Sequence, residues 1–353
     1  MSLHRYYPQL RWKPAEYEAL NELDQPTLSA ITPIISILDI DWDFENDCYK
    51  KSLADYLSEF GLKLSTNWSP ATKVLLDVNC LDQHSTQTNH PLDICIQSAR
   101  QYGKEVIPVI LPQSSQNYYS AVARNLINGV AISVNFQSLP YLNQCISSLN
   151  IHPSNVDVIL DLGDIQQANT NLYQQVLISC TSIINQSPWR NIILSSTCYP
   201  SSQAGIPQNQ IYSLPREEWQ LWTQIIQNGQ LQRTPSFSDY PTASSVITSV
   251  DPRFMSQYAA VRYSDHNNWI FIKGTAVRGN GWSQTQSLCQ ILITSPVFFG
   301  SHFSWGDDYI FNRAHGNYTS GGSKEWRKIA HTHHLTMVAQ QLNQYSIHYP
   351  ALP

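Results

Sequence analysis

The sequence predicts an α/β fold, a TIM-barrel-like (β/α)8 barrel with an inserted β-hairpin and a C-terminal helical extension. Three observations point there. Eight short runs, most of them rich in Val, Ile and Leu as strands buried on both faces require, alternate with amphipathic stretches. The first run is not followed by the Gly-x-Gly-x-x-Gly turn of a dinucleotide-binding open sheet. After Tyr240 the alternation stops and an aromatic-rich pattern takes over. A doubly wound open sheet shares the local pattern, but the strand count and the missing glycine turn favour a closed barrel.

The expected strands are 6–12, 32–38, 73–78, 106–111, 129–134, 156–162, 191–196 and 235–240. Between them, Pro14 suits the first turn of a helix running to Leu20. Stretches 51–60, 91–101, 119–127 and 172–184 carry apolar residues at helical three- and four-residue spacing. Pro200, Gly205 and Pro207 make 200–211 a loop. Strands 258–263 and 269–273 form a hairpin around the turn-rich Ser264-Asp265-His266-Asn267-Asn268, set over the barrel mouth, with 285–294 as the closing helix. An ordered loop over 296–322 then leads into a last helix, 323–344, with Ser323 as N-cap and Trp326 in its first turn. The expected division is a barrel over 1–295, including the hairpin insertion 256–275, and a C-terminal loop and helix over 296–353 packed on it.

At 353 residues the chain can bury a large core, and 42% hydrophobic with 13% charged residues is globular if poor in charge. A net charge of −5 argues against a protein that coats nucleic acid. Residues 1–60 hold eleven acids against five bases, whereas over 311–345 Arg313, Lys324, Arg327 and Lys328 oppose only Glu325. Seven scattered cysteines without a Cys-x-x-Cys pair read as reduced thiols. The N-terminus lacks a signal-peptide apolar run and no 18 apolar residues are consecutive, so a cytoplasmic protein without a membrane span is expected.

In a barrel, ligand-facing groups lie at the carboxyl ends of the strands. Asp39, Asp77, Asp161, Asp164 and Asp239 fall there, with Tyr240 beside the last. Asp77, Asp161 and Asp239 could together hold Mg2+ or Mn2+, or divide into an acid and a base; equally, each could cap a helix or pin a turn. Lys273, at the end of an apolar strand, is a candidate anion or Schiff-base lysine or a solvated strand end. Arg262 and Arg278 sit near aromatic residues and share that ambiguity. His331, His333 and His334 are dense enough to suggest a metal, yet they lack the His-Glu-x-x-His arrangement and a completing Cys cluster, and they read as a packed or hydrogen-bonding group rather than as ligands. Ser195, Ser196 and Cys198 have no nucleophile elbow, and Gly279-Asn280-Gly281 is no phosphate loop. Trp305, Trp326 and their aromatic neighbours are a partner surface or core.

Six patterns follow one another in the last third: Ser-Asp-Tyr (238–240), Val-Arg-Tyr-Ser (261–264), Trp-Ile-Phe-Ile-Lys-Gly (269–274), Phe-Ser-Trp-Gly-Asp-Asp (303–308), Trp-Arg (326–327) and His-His-Leu (333–335). With Tyr7 to Lys13, Glu16, Arg-Glu-Glu-Trp (216–219) and Ile-Leu-Asp-Leu-Gly (159–163), they resemble the phage "beta protein" family over nearly the whole chain. Serines stand at Ser36, Ser133 and Ser238 where that family tends to carry glutamate, arginine and glycine. The resemblance implies a phage, satellite-phage or prophage cassette tied to anti-phage defence, in which this chain restrains or senses a host-killing partner toxin. It implies Asp161, Asp239, Tyr240, Lys273, Asp307, Trp326, Arg327, His333 and His334 as pattern residues. Partner- or ligand-binding candidates are then Tyr240, Arg262, Trp305, Asp307, Trp326, Arg327, His333 and His334. The competing reading is a divalent-metal-dependent barrel enzyme acting on a phosphorylated or nucleotide substrate through Asp77, Asp161, Asp239 and Lys273.

Overall fold

The computed structural model describes residues 3–86, 89–247 and 256–352. Eight parallel strands follow one another around a single sheet: Gln9–Arg11, Ile34–Ser36, Val74–Asp77, Val106–Ile110, Val130–Val134, Val156–Asp164, Asn191–Thr197 and Ser236–Ser238. The first and last strands close the ring. Tyr7 N donates to Phe237 O (2.8 Å), Gln9 N to Asp239 O (2.8 Å) and Phe237 N to Arg5 O (3.2 Å). The strand sequences are apolar on both faces because the barrel gives them two dry environments. Tyr7, Ile34, Leu75, Val109, Ala131, Ile159 and Ile193 fill the interior. Alternate residues such as Ile35, Leu76, Val158 and Leu194 pack outward under the helices.

The closing helix is not 285–294. Helix Thr285–Ile293 packs instead on an antiparallel cap sheet of Ile211–Pro215, Asn268–Ala276 and Tyr258–Ser264. The place between the seventh and first barrel helices is taken by Ser323–His348. Its Tyr345 lies against Trp219 and Trp222 of helix Glu217–Gln227, and its other flank packs on helix Pro14–Asn21. Periodicity exposes an apolar face but not what that face meets, and both segments had one. The terminal helix is buried on nearly every side: Leu335, Val338 and Leu342 join the barrel core, Trp326 and Ile329 the cap core.

Three further expectations need correction. The 296–322 loop contains a helix, Trp305–Ala314, capped by Ser304, whose hydroxyl accepts from Asp307 N. Gly306 lets it approach the terminal helix, since a Cβ there would lie 2.4 Å from Ile329 O. Ser323 is the first residue of the terminal helix rather than its cap, which is Gly322 without a side-chain bond. The hairpin gains a third strand, Ile211–Pro215, next to the 200–211 loop; it pairs along Asn268–Ala276.

Candidate functional site: the barrel mouth and its rim

Two residues beyond the interior layer, six of the eight strands turn polar. Gln9, Ser36, Asp77, Ser133, Asp161 and Ser195 follow Tyr7, Ile34, Leu75, Ala131, Ile159 and Ile193 on the same inward face, because side chains repeat every second residue. All but Ser195 retain partial exposure, so the barrel interior opens to solvent at the strands' carboxyl ends. The sequence carries this ring as a period-two polar signal, yet Gln9 and Arg11 were not among the expected site residues.

Asp161 is fixed by several donors. Tyr240 donates its hydroxyl to Oδ2, Gly163 N donates to Oδ1 (3.0 Å), and Gln9 Nε2 lies 3.4 Å from Oδ2. A bulge between Asp161 and Asp164 makes this possible, and Gly163 supplies its positive φ of 62°. Burial raises the Asp161 pKa above the ordinary carboxylate range, and the Asp77 charge adds to it, while the Tyr240 and Gly163 bonds oppose. Asp77 is raised by burial against bonds from Asn79 N (2.8 Å) and Asn79 Nδ2 (2.6 Å). Asp164 accepts from Ser244 Oγ and Ser245 N (2.6 Å each), tying the loop after the eighth strand to the sixth. Asp39 pairs with His84 at 2.7 Å on the rim.

Asp239 does not join Asp77 and Asp161. It shares the outward face of its strand with Phe237, while Tyr240 points inward. Its carboxylate accepts from the Tyr6 hydroxyl (2.6 Å) and His334 Nε2 (2.9 Å), 3.7 Å from Arg216 Nη2. Burial lowers the His334 pKa to about 4, so the neutral ring donates to Asp239 and its Nδ1 accepts from Ser264 Oγ (2.9 Å). His333 faces the cap instead: Nδ1 meets Asp307 (2.9 Å), Nε2 donates to Ser264 O (2.7 Å), and the ring stacks 3.6 Å from Tyr263. The two histidines therefore lock the terminal helix to barrel and cap. Among the described residues, no group of three His, Cys, Asp or Glu side chains is arranged to hold a metal ion.

The remaining candidates divide between cap and mouth. Lys273 is buried, donates to Gln203 O (2.9 Å) and lies 4.4 Å over the Tyr258 ring. Trp326 is in the cap core, donating to Ser320 O (3.0 Å); Trp305 is half-exposed under Lys328 (4.2 Å). Arg327 is exposed and Arg262 half-buried, and the charges of Arg11 and Arg327 oppose the burial that raises the Glu16 pKa to about 8.

A feature without a sequence forecast stands on the rim. After the second strand, Trp42–Asp43 pairs with Cys48–Tyr49 in a small hairpin, its turn pinned by Asp43 accepting from Glu45 N (2.9 Å). Trp42, Phe44 and Tyr49 are 37%, 43% and 39% exposed, whereas Trp68, Trp222, Trp269 and Trp326 are buried.

A family model described as Beta protein matches residues 6–340. The chain belongs to the Beta protein family. Within this Beta-family chain, Ser36 and Ser133, two positions at which it departs from the expected pattern, lie in the same polar ring. No curated protein matches. Among solved structures, the chain is similar to a mutant tryptophan synthase alpha-subunit from Pyrococcus furiosus, with 11% identity, a TM-score of 0.39, and 69% of this chain and 89% of that one covered. It is also similar to triosephosphate isomerase from Bartonella henselae, with 8% identity, a TM-score of 0.36, and 69% and 95% covered. Likeness this distant says nothing of chemistry. Among the described residues, no helix is long and apolar enough to cross a membrane.

Proposed function

We propose that this Beta-family chain is the restraining or sensing component of a phage- or prophage-derived, toxin-antitoxin-like cassette, acting in cytoplasmic anti-phage defence by binding a partner toxin. The observation that carries the binding half of this reading is the rim hairpin. Three large aromatic rings stand exposed within eight residues, on the face of a barrel where ligands are usually met. Aromatic residues of this kind supply most of the energy in protein interfaces. Asp41, Asp43 and Asp47 lie among them in the sequence, which suits a partner with a basic contact patch. Trp42→Ser/Phe44→Ser should weaken association of the purified pair by roughly 100-fold, as loss of a hot spot does. Wild-type chain that fails to associate with the cassette's killer protein at micromolar concentration rules the reading out.

A second reading, a metal-dependent enzyme for a phosphorylated or nucleotide substrate, is favoured by Asp77 and Asp161, which face inward at the mouth from the third and sixth strands. Asp239 is committed elsewhere, so two carboxylates rather than three would hold Mg2+ or Mn2+, with waters completing the oxygen shell.

A further inference from the structure

The mouth wall between the seventh, eighth and first strands gathers cationic groups that partner binding does not use. Arg11 ends the first strand on its inward side and donates from Nη2 to Ser244 O and to Val246 O (3.1 Å), carbonyls of the loop after the eighth strand. Arg327 lies one helical turn before His331, whose ring touches Thr242 of that loop and stands 4.0 Å from Glu16. Arg262 shares a cap-sheet face with its register partner Phe271, and the Phe271 ring is 5.3 Å from Tyr199, just beyond the seventh strand. Their fields overlap: burial lowers the Arg327 pKa, and Arg262 and Arg11 push it the same way.

Tyr199 is an independent pointer. Its side chain is 7% exposed, and its hydroxyl makes no well-formed hydrogen bond, although the Arg262 and Gln203 side chains stand close enough to oppose the burial that raises its pKa. A buried hydroxyl left unpaired is costly, and such groups recur where a ligand completes the bonding. Burial raises the Glu16 pKa to about 8, so near neutral pH its carboxyl is largely protonated and does not cancel the arginines.

We infer that this wall is a receptor for the phosphate group of a small hydroxylated molecule, engaged by Arg11, Arg262, Arg327 and the Tyr199 hydroxyl. Guanidinium forks match phosphate oxygens in pairs, and the loops after strands seven and eight are a recurrent phosphate site in such barrels. Below the arginines, Gln9, Ser36, Asp77, Ser133 and Asp161 offer donors and acceptors that suit hydroxyls, which places the ligand among sugar or polyol phosphates. The inference rests on the sensing reading and supplies the thing sensed.

The test is calorimetric titration of the full chain at low ionic strength with ribose 5-phosphate, ribose and inorganic phosphate. Ribose 5-phosphate should bind, ribose should not, and inorganic phosphate should bind more weakly than the ester. Arg327→Gln and Tyr199→Phe should each weaken ribose 5-phosphate by roughly tenfold, with ligand-free melting temperatures near wild type showing that both variants fold. Equal behaviour of ribose and its phosphate, or full affinity in folded Arg327→Gln, overturns the site. Inorganic phosphate binding as tightly as the ester overturns the ligand class. Toxin association is measured on the same preparations without ligand, so failure of one reading is separable from failure of the other.

Discussion

On the eighth strand, Asp239 faces the terminal helix with Tyr6, His334 and Arg216 around its carboxylate. Glu218 shares Arg216 at 3.3 Å. Removing one member of a buried ionic group leaves the others uncompensated, so Asp239→Ala should cost roughly 3 to 5 kcal/mol in chemical denaturation. A loss below about 1 kcal/mol would mean that the network does not hold the helix. His334 and His331 add a pH dependence, because burial lowers their pKa to about 4 and about 3. Below about 6.5 the unfolded chain takes up protons that the folded chain refuses. Stability from these rings is therefore complete above about 6.5 and falls progressively as the pH drops through 4, by an amount on the order of 3 kcal/mol per ring. Unfolding curves between these limits should show a shallower acid slope in His334→Gln than in wild type; an unchanged slope contradicts the assignment.

Among elements, the terminal helix carries the most consequence. Its surface ion pairs with helix Pro14–Asn21 and the residue after it, Lys324 with Glu18 at 3.0 Å and Lys328 with Glu22 at 2.6 Å, orient it but contribute little stability. Burial of Leu335, Val338 and Leu342 in the barrel core contributes far more. Leu342→Ala should lower unfolding free energy by about 2 to 5 kcal/mol, and a cost below about 0.5 kcal/mol would show the helix to be peripheral. The strands were legible because most are apolar runs of strand length, and Asp77 and Asp161 were legible as strand-end acids. The closing helix was not, since local periodicity is blind to the partner of an apolar face. Nor was the outward turn of Asp239, which depends on the phase of a three-residue strand, Ser236–Ser238, set by closure against the first strand. The mouth arginines come from strand, cap and helix, far apart in sequence, so no spacing could group them.

At the scale of the whole molecule, one helix joins the barrel core to the cap core, and the polar mouth opens between them. The measurement to make is growth of cells co-expressing the cassette's killer protein with three forms of this chain at matched soluble levels: wild type, Trp42→Ser/Phe44→Ser, and Asp77→Asn/Asp161→Asn. Restraint by wild type and by the aspartate variant, with growth arrest returning in the hairpin variant, is the predicted result. Arrest returning in the aspartate variant, with the hairpin variant still protective, would contradict it and make the barrel mouth a metal-dependent catalytic site.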